Sequence, residues 1–591
     1  MAESSSTNKD RVLACSVYCN GSKLNDSYAL ASATVRLELN HIGKATLKFN
    51  AGDMDKQTFD ESDADLFRPG NTIRMDVGNT EKEETLFDGV IIGLRIITGK
   101  DFRSYVVVEC RDHAYPATQG RKNCIFEKKK DSDIIKEILS GYGSVEVEAT
   151  PYQYPTLVQY YCSDWDFALS RADANGLFVF TDGKKIQVRK PNVSISPVLT
   201  VTYGTDLTSF DLELSAGDQF MQYEAVSWDP KTQRAVKVSA SSPSLNKQGD
   251  LQPKNIATGD SLLLQTDAPT DEKALKQWAD GMALKAGLAR YQGSCSFYGS
   301  AKVKPGCIIE LQGLGKRFNG NLFVGSVTHT IEDNEWLTEA GAGVSPMNIT
   351  DKTDVVSPSA SGFLPGLQGL HAAVVKKSDG DPQKEYRIQV ELPWMDGKNK
   401  LLWARLSTLY ATNMGGSFFL PEPGDEVVIG FMNQDPGHPV ILGGLYSEKH
   451  KPPYEYEAKN NVKAIVTREK LRIEFDEGKK VMTLSTPGKN AMEISDDGKS
   501  IRLIDEHKNE IVMDSNGISL SSSKDIKLKA KGDITLDATT KISGTAKSDV
   551  SLEGLNVKVQ AKVGASVKGN VTAELSASGQ TTVKGGMVMI N

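Results

Sequence analysis

Seven histidines, at 41, 113, 329, 371, 438, 450 and 507, are the first residues to test for chemistry. Imidazoles that bind metal in pairs stand at HxxxH or HExxH spacing, or near cysteines, and none of these seven does. The seven cysteines, 15, 19, 110, 124, 162, 295 and 307, are scattered, odd in number and form no CxxC pair. That is the pattern of buried free thiols in a reducing compartment. The glycines of GYGSVEVE (141–148) lack the Lys-Ser/Thr of a phosphate loop, and no GxSxG elbow presents a serine. SDGDPQKE (378–385) spaces its acids faintly like a calcium loop but lacks the central glycine and terminal glutamate, so it reads as a polar turn. Asp164 and Asp166 are a carboxylate pair better explained as helix cap and dipole partner. The sequence therefore predicts no catalytic, cofactor-binding or metal-ligating residue, no cofactor, and a chain that is not an enzyme.

The totals narrow the remaining classes. Sixty-nine basic and 76 acidic residues leave a net charge of −7 over 591 residues, which argues against nucleic acid as a partner. KKIQVRK (184–190) is a solvated strand face. The start, MAESSSTNKDRV, has no apolar core of a signal peptide, and no apolar run reaches the ~20 residues of a membrane span. Cytoplasmic synthesis and assembly are expected.

Residues 1–352 read as α+β. Strand-like runs such as SYVVVECRD (104–112) alternate with helices at 132–143, capped by Ser132 and stopped at Gly141, at 163–176, capped by Ser163, and at 270–287. TDVVSPSASG (353–362) reads as a linker. Residues 363–447 carry short strands and Gly/Pro turns in the manner of a small barrel. In 448–517, after a connector, short strands alternate with DEGKK, TPGKN, DDGKS and DEHKN, a meander ending at the Asn516-Gly517 turn.

The last segment is different. All Tyr, Phe and Trp residues lie at or before Phe475, so the residues beyond it cannot build an ordinary aromatic core. From 518 to 553 every apolar residue is even-numbered; from 555 to 583 every one is odd-numbered. Ile526, Leu528, Ile534, Leu536, Ile542, Val550 and Leu552 belong to the first set, and Val557, Val559, Val563, Val567, Val571, Leu575 and Val583 to the second. Period two means strand, and Ile526, Ile534, Ile542 and Val550 add a period of eight. The phase change at Gly554-Leu555 predicts one bulge or corner, with further corners at Gly532, Gly544, Gly569 and Gly579. Two or three aliphatic side chains per octad are too few to offset the backbone entropy of eight ordered residues. Three chains wound on one axis would shelter the strip and leave no lateral edge. Residues 518–591 are thus expected to form one third of an intertwined trimeric β-helix, a stiff needle with a blunt tip. A single-chain solenoid is the competing fold.

Three stretches in this order resemble VgrG, the spike family of type VI secretion systems, which is related to the hub and spike proteins of contractile phage tails. LVQYYCSDWDFALSRADANGLFVF (157–180) is similar to the family's hub motif. LPEPGDEVVIGFMNQDPGHPVILGGLYS (420–447) resembles its OB-fold signature, through Gly424, Asp425, Glu426, Val427, Ile429, Phe431, Asp435, Pro436 and Pro439. The octad needle ending in KGGMVMIN is the third.

The resemblance implies a homotrimeric spike capping a hexameric tube of Hcp protein and seated among baseplate proteins. Its tip, Met587, Val588, Met589, Ile590 and Asn591, would dock a PAAR-repeat protein, and effectors or adaptors would ride on it. The spike would be exported through the contractile apparatus and meet a membrane only in piercing it. An extracellular injection particle or phage tail is the alternative, a glycan-degrading fibre or an adhesin more remote ones. Some relatives carry an enzyme after the needle, and phage spikes a lysozyme domain between barrel and needle; the latter is not expected here, where about twenty residues (448–469) follow the barrel.

Overall fold

The computed structural model describes residues 3–4, 12–79, 81–100, 103–243, 245–395 and 400–590. Two compact units divide the chain, Met1–Leu445 and Tyr446–Asn591. Most of the regular structure is β.

In the first unit a fourteen-stranded sheet holds two apolar cores. One lies under strands Leu30–Glu38, Lys44–Asn50, Thr72–Asn79, Glu83–Thr98 and Ser104–Asp112. Their inward residues alternate, as period two requires: Ala45, Leu47 and Phe49 are buried on one strand, and Val106, Val108 and Cys110 on another. Phe67 closes this core, stacked on Phe49 at 4.9 Å between ring centroids and met edge-on by Tyr28 at 5.4 Å. The second core lies among strands Leu199–Thr202, Tyr291–Tyr298, Ile308–Gln312 and Gly320–Glu332. One antiparallel pairing, Ser326↔Glu38 through Glu332↔Ser32, joins the two halves. Strands drawn from residues 13–112 and 199–342 are thus tied into one sheet, although they lie far apart in sequence.

Two helices, Asp131–Leu139 and Asp164–Asp173, pack on a three-stranded sheet around Ile135, Leu139, Trp165, Leu169 and Val188. A third, Glu272–Leu288, covers the sheet of Phe220–Asp229, Arg234–Ser241 and Gly259–Thr266. Ser163 caps its helix as the sequence predicts, accepting from the Asp166 amide at 3.0 Å. The first helix differs from expectation. Its cap lies two residues earlier than expected, at Lys130, so the helix begins at Asp131, and its C-cap is Ser140. Ser132 is instead buried inside the first turn, where its amide donates to Thr150 Oγ1 at 3.1 Å.

Beyond them stands a closed five-stranded barrel, His371–Lys377, Ile388–Glu391, Leu401–Leu406, Pro439–Gly444 and Glu426–Phe431 in that order around the wall. Ala373, Val375, Ile388, Val390, Ala404, Val427, Ile429 and Ile441 fill it. Small and β-branched side chains suit so narrow an interior. Residues read as linker carry a short helical turn at Ser359–Gly362, and Arg121 donates to the carbonyls of Asp354 and Val356 at 3.0 Å each.

The second unit opens with a seven-stranded antiparallel meander from Val462–Val466 to Gly517–Ser521, each strand paired with its chain neighbour. Its last strand includes Ile518 and Leu520, so the sheet reaches past the expected start of the needle. From 522 to 590 no described residue pairs in a ladder within the chain. The backbone instead bends at 523–524, 531–532, 539–540 and 547–548, then at 554–555, 562–563, 570–571, 578–579 and 586–587. Every step between successive bends is eight residues except the one that ends at Gly554, which is seven. The expected irregularity is therefore at Gly554, but it is a residue missing from an octad rather than a bulge added to one. Gly532 and Gly579 lie at bends; Gly544 and Gly569 do not.

Candidate assembly surfaces

The barrel signature is local turn chemistry feeding a core. Gly424 has φ +98°, the left-handed region where a side chain is strained, and its amide donates to Val375 O at 2.8 Å. Asp425 closes the same turn, its carboxylate accepting from the Glu422 amide at 2.8 Å. Glu426 starts the strand opposite Val374, Val427 and Ile429 point into the barrel, and Phe431 packs at its end. Asp435 accepts from the Gly437 amide at 2.8 Å, which shapes the Asp435-Pro436 turn before Pro439 pairs with Phe431. These nine residues build a scaffold and present no reactive group.

The carboxylates around the hub motif are likewise taken up in packing. Asp164 accepts from Tyr142 Oη at 2.7 Å and Gln159 Nε2 at 3.0 Å, and pairs with Lys122. Burial pushes its carboxyl up, but those hydrogen bonds outweigh burial and hold it below the usual range. Asp131 receives Arg171 through two nitrogens, at 2.7 and 3.0 Å, and Asn175 at 2.7 Å. Asp173 pairs with the buried Lys285 at 2.7 Å. Gly176, φ +65°, brings its turn against Gly281 of the long helix; a Cβ at Gly176 would stand 2.7 Å from Gly281 Cα. The sequence marks Gly176 only as a helix stop, because the close approach depends on a residue more than a hundred positions away. Among the described residues no group of three or more His, Cys, Asp or Glu is placed to hold a metal ion. The calcium-like loop is a turn: Asp381 accepts from the amides of Gln383, Glu385 and Arg387 and from the Arg387 guanidinium at 2.7 Å.

The meander leaves apolar side chains uncovered. In the meander, register places Ile465, Ile473, Leu484, Met492, Leu503, Ile511 and Leu520 side by side across seven strands. A second row on the same face runs Lys463, Phe475, Met482, Ile494, Ile501, Met513 and Ile518. Only Lys463 interrupts it. The intervening row, Ala464, Glu474, Thr483, Glu493, Arg502, Val512 and Ser519, is largely polar. The sheet is thus amphipathic, and most of the large side chains of its apolar face remain 36–68 % exposed. Sequence reading finds the strands but not the rows, because the rows depend on turn lengths that set register.

The fourteen needle residues are 54–103 % exposed in the single chain. Measured from the first residue of each bend, the strip occupies odd offsets both before and after Gly554. Ile526, Ile534, Ile542, Val550 and Val557 all stand three residues on, and Leu528, Leu536, Leu552, Val559, Val567, Leu575 and Val583 five. Val563 and Val571 stand one residue on, an offset that is not aliphatic before Gly554. The seven-residue step thus absorbs the change from even to odd numbers. Of the tip residues, Met587 and Met589 fall at the odd offsets of the strip and Val588 and Ile590 at even ones, and Asn591 lies outside the described residues.

No helix among the described residues is long and apolar enough to cross a membrane.

A model for the Type VI secretion system/phage-baseplate injector OB domain matches residues 371–446, which coincide with the closed barrel. Type VI secretion system spike protein VgrG1b of Pseudomonas aeruginosa is 24 % identical over 416 residues, 63 % of this chain and 53 % of VgrG1b. VgrG1a of the same organism is 29 % identical over 150 residues, 23 % of each chain. The chain therefore spans about half of one relative and less than a quarter of the other. Among solved structures, a type VI secretion component of E. coli gives a TM-score of 0.38 at 15 % identity, over 73 % of this chain and 99 % of its own. The 43 kDa tail protein of a Shewanella oneidensis prophage gives 0.44 at 11 %, over 56 % and 98 %. The resemblance to VgrG spikes read from the motifs is borne out by these relatives. A model for the Alg8 N-terminal domain matches residues 9–333, more than half of the chain, and the chain therefore belongs to the Alg8 N-terminal domain family.

Proposed function

We propose that this chain is one third of a homotrimeric spike of a contractile injection machine of the type VI class. The observation that carries the reading is the strip from Ile526 to Val583. Its aliphatic residues keep one phase relative to bends spaced eight residues apart, yet all are exposed in the single chain. Two more copies would cover them, and the amphipathic meander would add its apolar face to the same assembly. Outward Lys and Asp side chains would keep the trimer soluble.

The action is mechanical, not catalytic. A trimer locked by interchain backbone bonds would transmit force from a contracting sheath and pierce a membrane. Residues 1–352 would cap the Hcp tube within the baseplate, and the tip would seat a PAAR-repeat protein. Effectors or their adaptors would be carried with it, and export would go through the apparatus itself. The OB-domain description names phage baseplates beside type VI systems, which keeps a phage-tail spike as the second reading.

Val559→Asp and Lys558→Asp test the reading together. The first would place three unpaired charges on the trimer axis, the second three on its surface. Unheated detergent gels should show a resistant trimer for wild type and Lys558→Asp and only monomer for Val559→Asp. Equal behaviour of the two variants contradicts the inward phase.

A further inference from the structure

The barrel carries an apolar arm that its own chain does not cover. No charged residue lies between Arg405 and Glu422. Within this stretch Ala411–Thr412 and Gly415–Gly416 form a minimal hairpin, closed at its base by Ser417 N donating to Tyr410 O at 2.9 Å. Leu409 and Met414 are fully exposed, and Phe418 is 83 % exposed. A hairpin this short has no core of its own, so these side chains need a partner that is apolar and uncharged.

A rotational homo-oligomer closes through two different patches on each copy. The second patch is present on the same unit. Phe363 and Leu370 are 87 % and 65 % exposed, Leu364 is partly exposed, and no Asp, Glu, Lys or Arg lies between Asp354 and Lys376. This segment is held in place rather than loose. Leu367 N donates to Gln434 O at 2.8 Å, and Asn433 Nδ2 donates to Ser361 Oγ at 2.8 Å. Both patches lack charge, so bringing them together strands no ion. A lipid surface fits less well, because Glu422, Asp425 and Glu426 follow the arm where an anionic membrane would favour cations.

We propose that the 406–421 arm of one copy seats on the Phe363–Leu370 patch of the next copy, closing a ring of barrels separate from the needle contact. This rests on the trimeric reading above. The test uses the full chain with p-benzoylphenylalanine in place of Phe418, prepared from a mixture of 14N- and 15N-labelled copies, with the mass first determined by light scattering. After irradiation and boiling, the arm predicts two- and three-chain bands, with mixed-isotope peptides joining position 418 to 355–375. A trimer that gives only intrachain links, links elsewhere or none overturns the arm while leaving the trimer standing. A monomer by scattering overturns the trimer itself. Binding to anionic phospholipid vesicles that Phe418→Asp abolishes would also overturn the arm, in favour of a membrane.

Discussion

His329 shows how far single residues are committed to structure in this chain. It is fully enclosed where the two halves of the large sheet meet, opposite Val35 on the joining strand. Its Nδ1 lies 2.9 Å from Thr338 Oγ1 and accepts from Trp336 Nε1 at 3.3 Å. Burial, with a smaller contribution from Lys304, pushes its pKa down to about 3 from 6.5. Between those values the unfolded chain binds a proton that the folded chain refuses, so stability is complete above about 6.5 and falls as pH falls. From pH 6.5 to 4 the loss should reach about 3 kcal/mol. Urea midpoints of the 1–445 unit across that range check it, and His329→Gln should flatten the slope. An unchanged slope in the variant would clear His329 of the role. The sequence alone could not have shown this, because the burial comes from strands hundreds of residues apart. Asp381 is the opposite case: the lack of a calcium-loop glycine and glutamate already marks a polar turn.

At the scale of elements, alternation was legible and turn backbone was not. Strands of the barrel and meander follow from apolar periodicity, and the first helix starts two residues before expectation because its cap is Lys130 rather than a short polar side chain. In the meander the glycines suggest themselves as the permissive turn residues. In the first five turns the positive φ angles belong instead to Lys470, Lys480, Lys489, Lys499 and Lys508, although Gly478, Gly488 and Gly498 stand in three of those turns; only Gly517, in the last, is a positive-φ glycine. The arm at 406–421 left no periodic signal at all; only its freedom from charge set it apart. The tail carries the sharpest test. Its short octad ends at Glu553 and lacks the offset filled elsewhere by Ala530, Ala538 and Ala546. Inserting one alanine after Glu553 should therefore restore a regular octad and keep the trimer's melting temperature within a few degrees. The same insertion after Lys558 throws Val559 and its successors out of phase, and trimers should be lost. Thermal melts of both insertions decide it, and equal tolerance would show that bends do not set the phase.

For the whole molecule the common thread is unfinished burial. The first unit buries two large cores but leaves the 406–421 arm and the Phe363–Leu370 patch of its barrel open, and the second leaves an apolar sheet face and an apolar strip open along its length. Such exposure is rarely tolerated in a monomer, and the proposed trimer would cover it. In the proposed trimer the last residues are sheltered only by copies of the chain, and a stable monomer is then not expected. Light scattering of the purified full chain at micromolar concentration tests this most directly. The account predicts a mass three times 64.3 kDa that persists on dilution. A monodisperse, folded species of 64.3 kDa would contradict it.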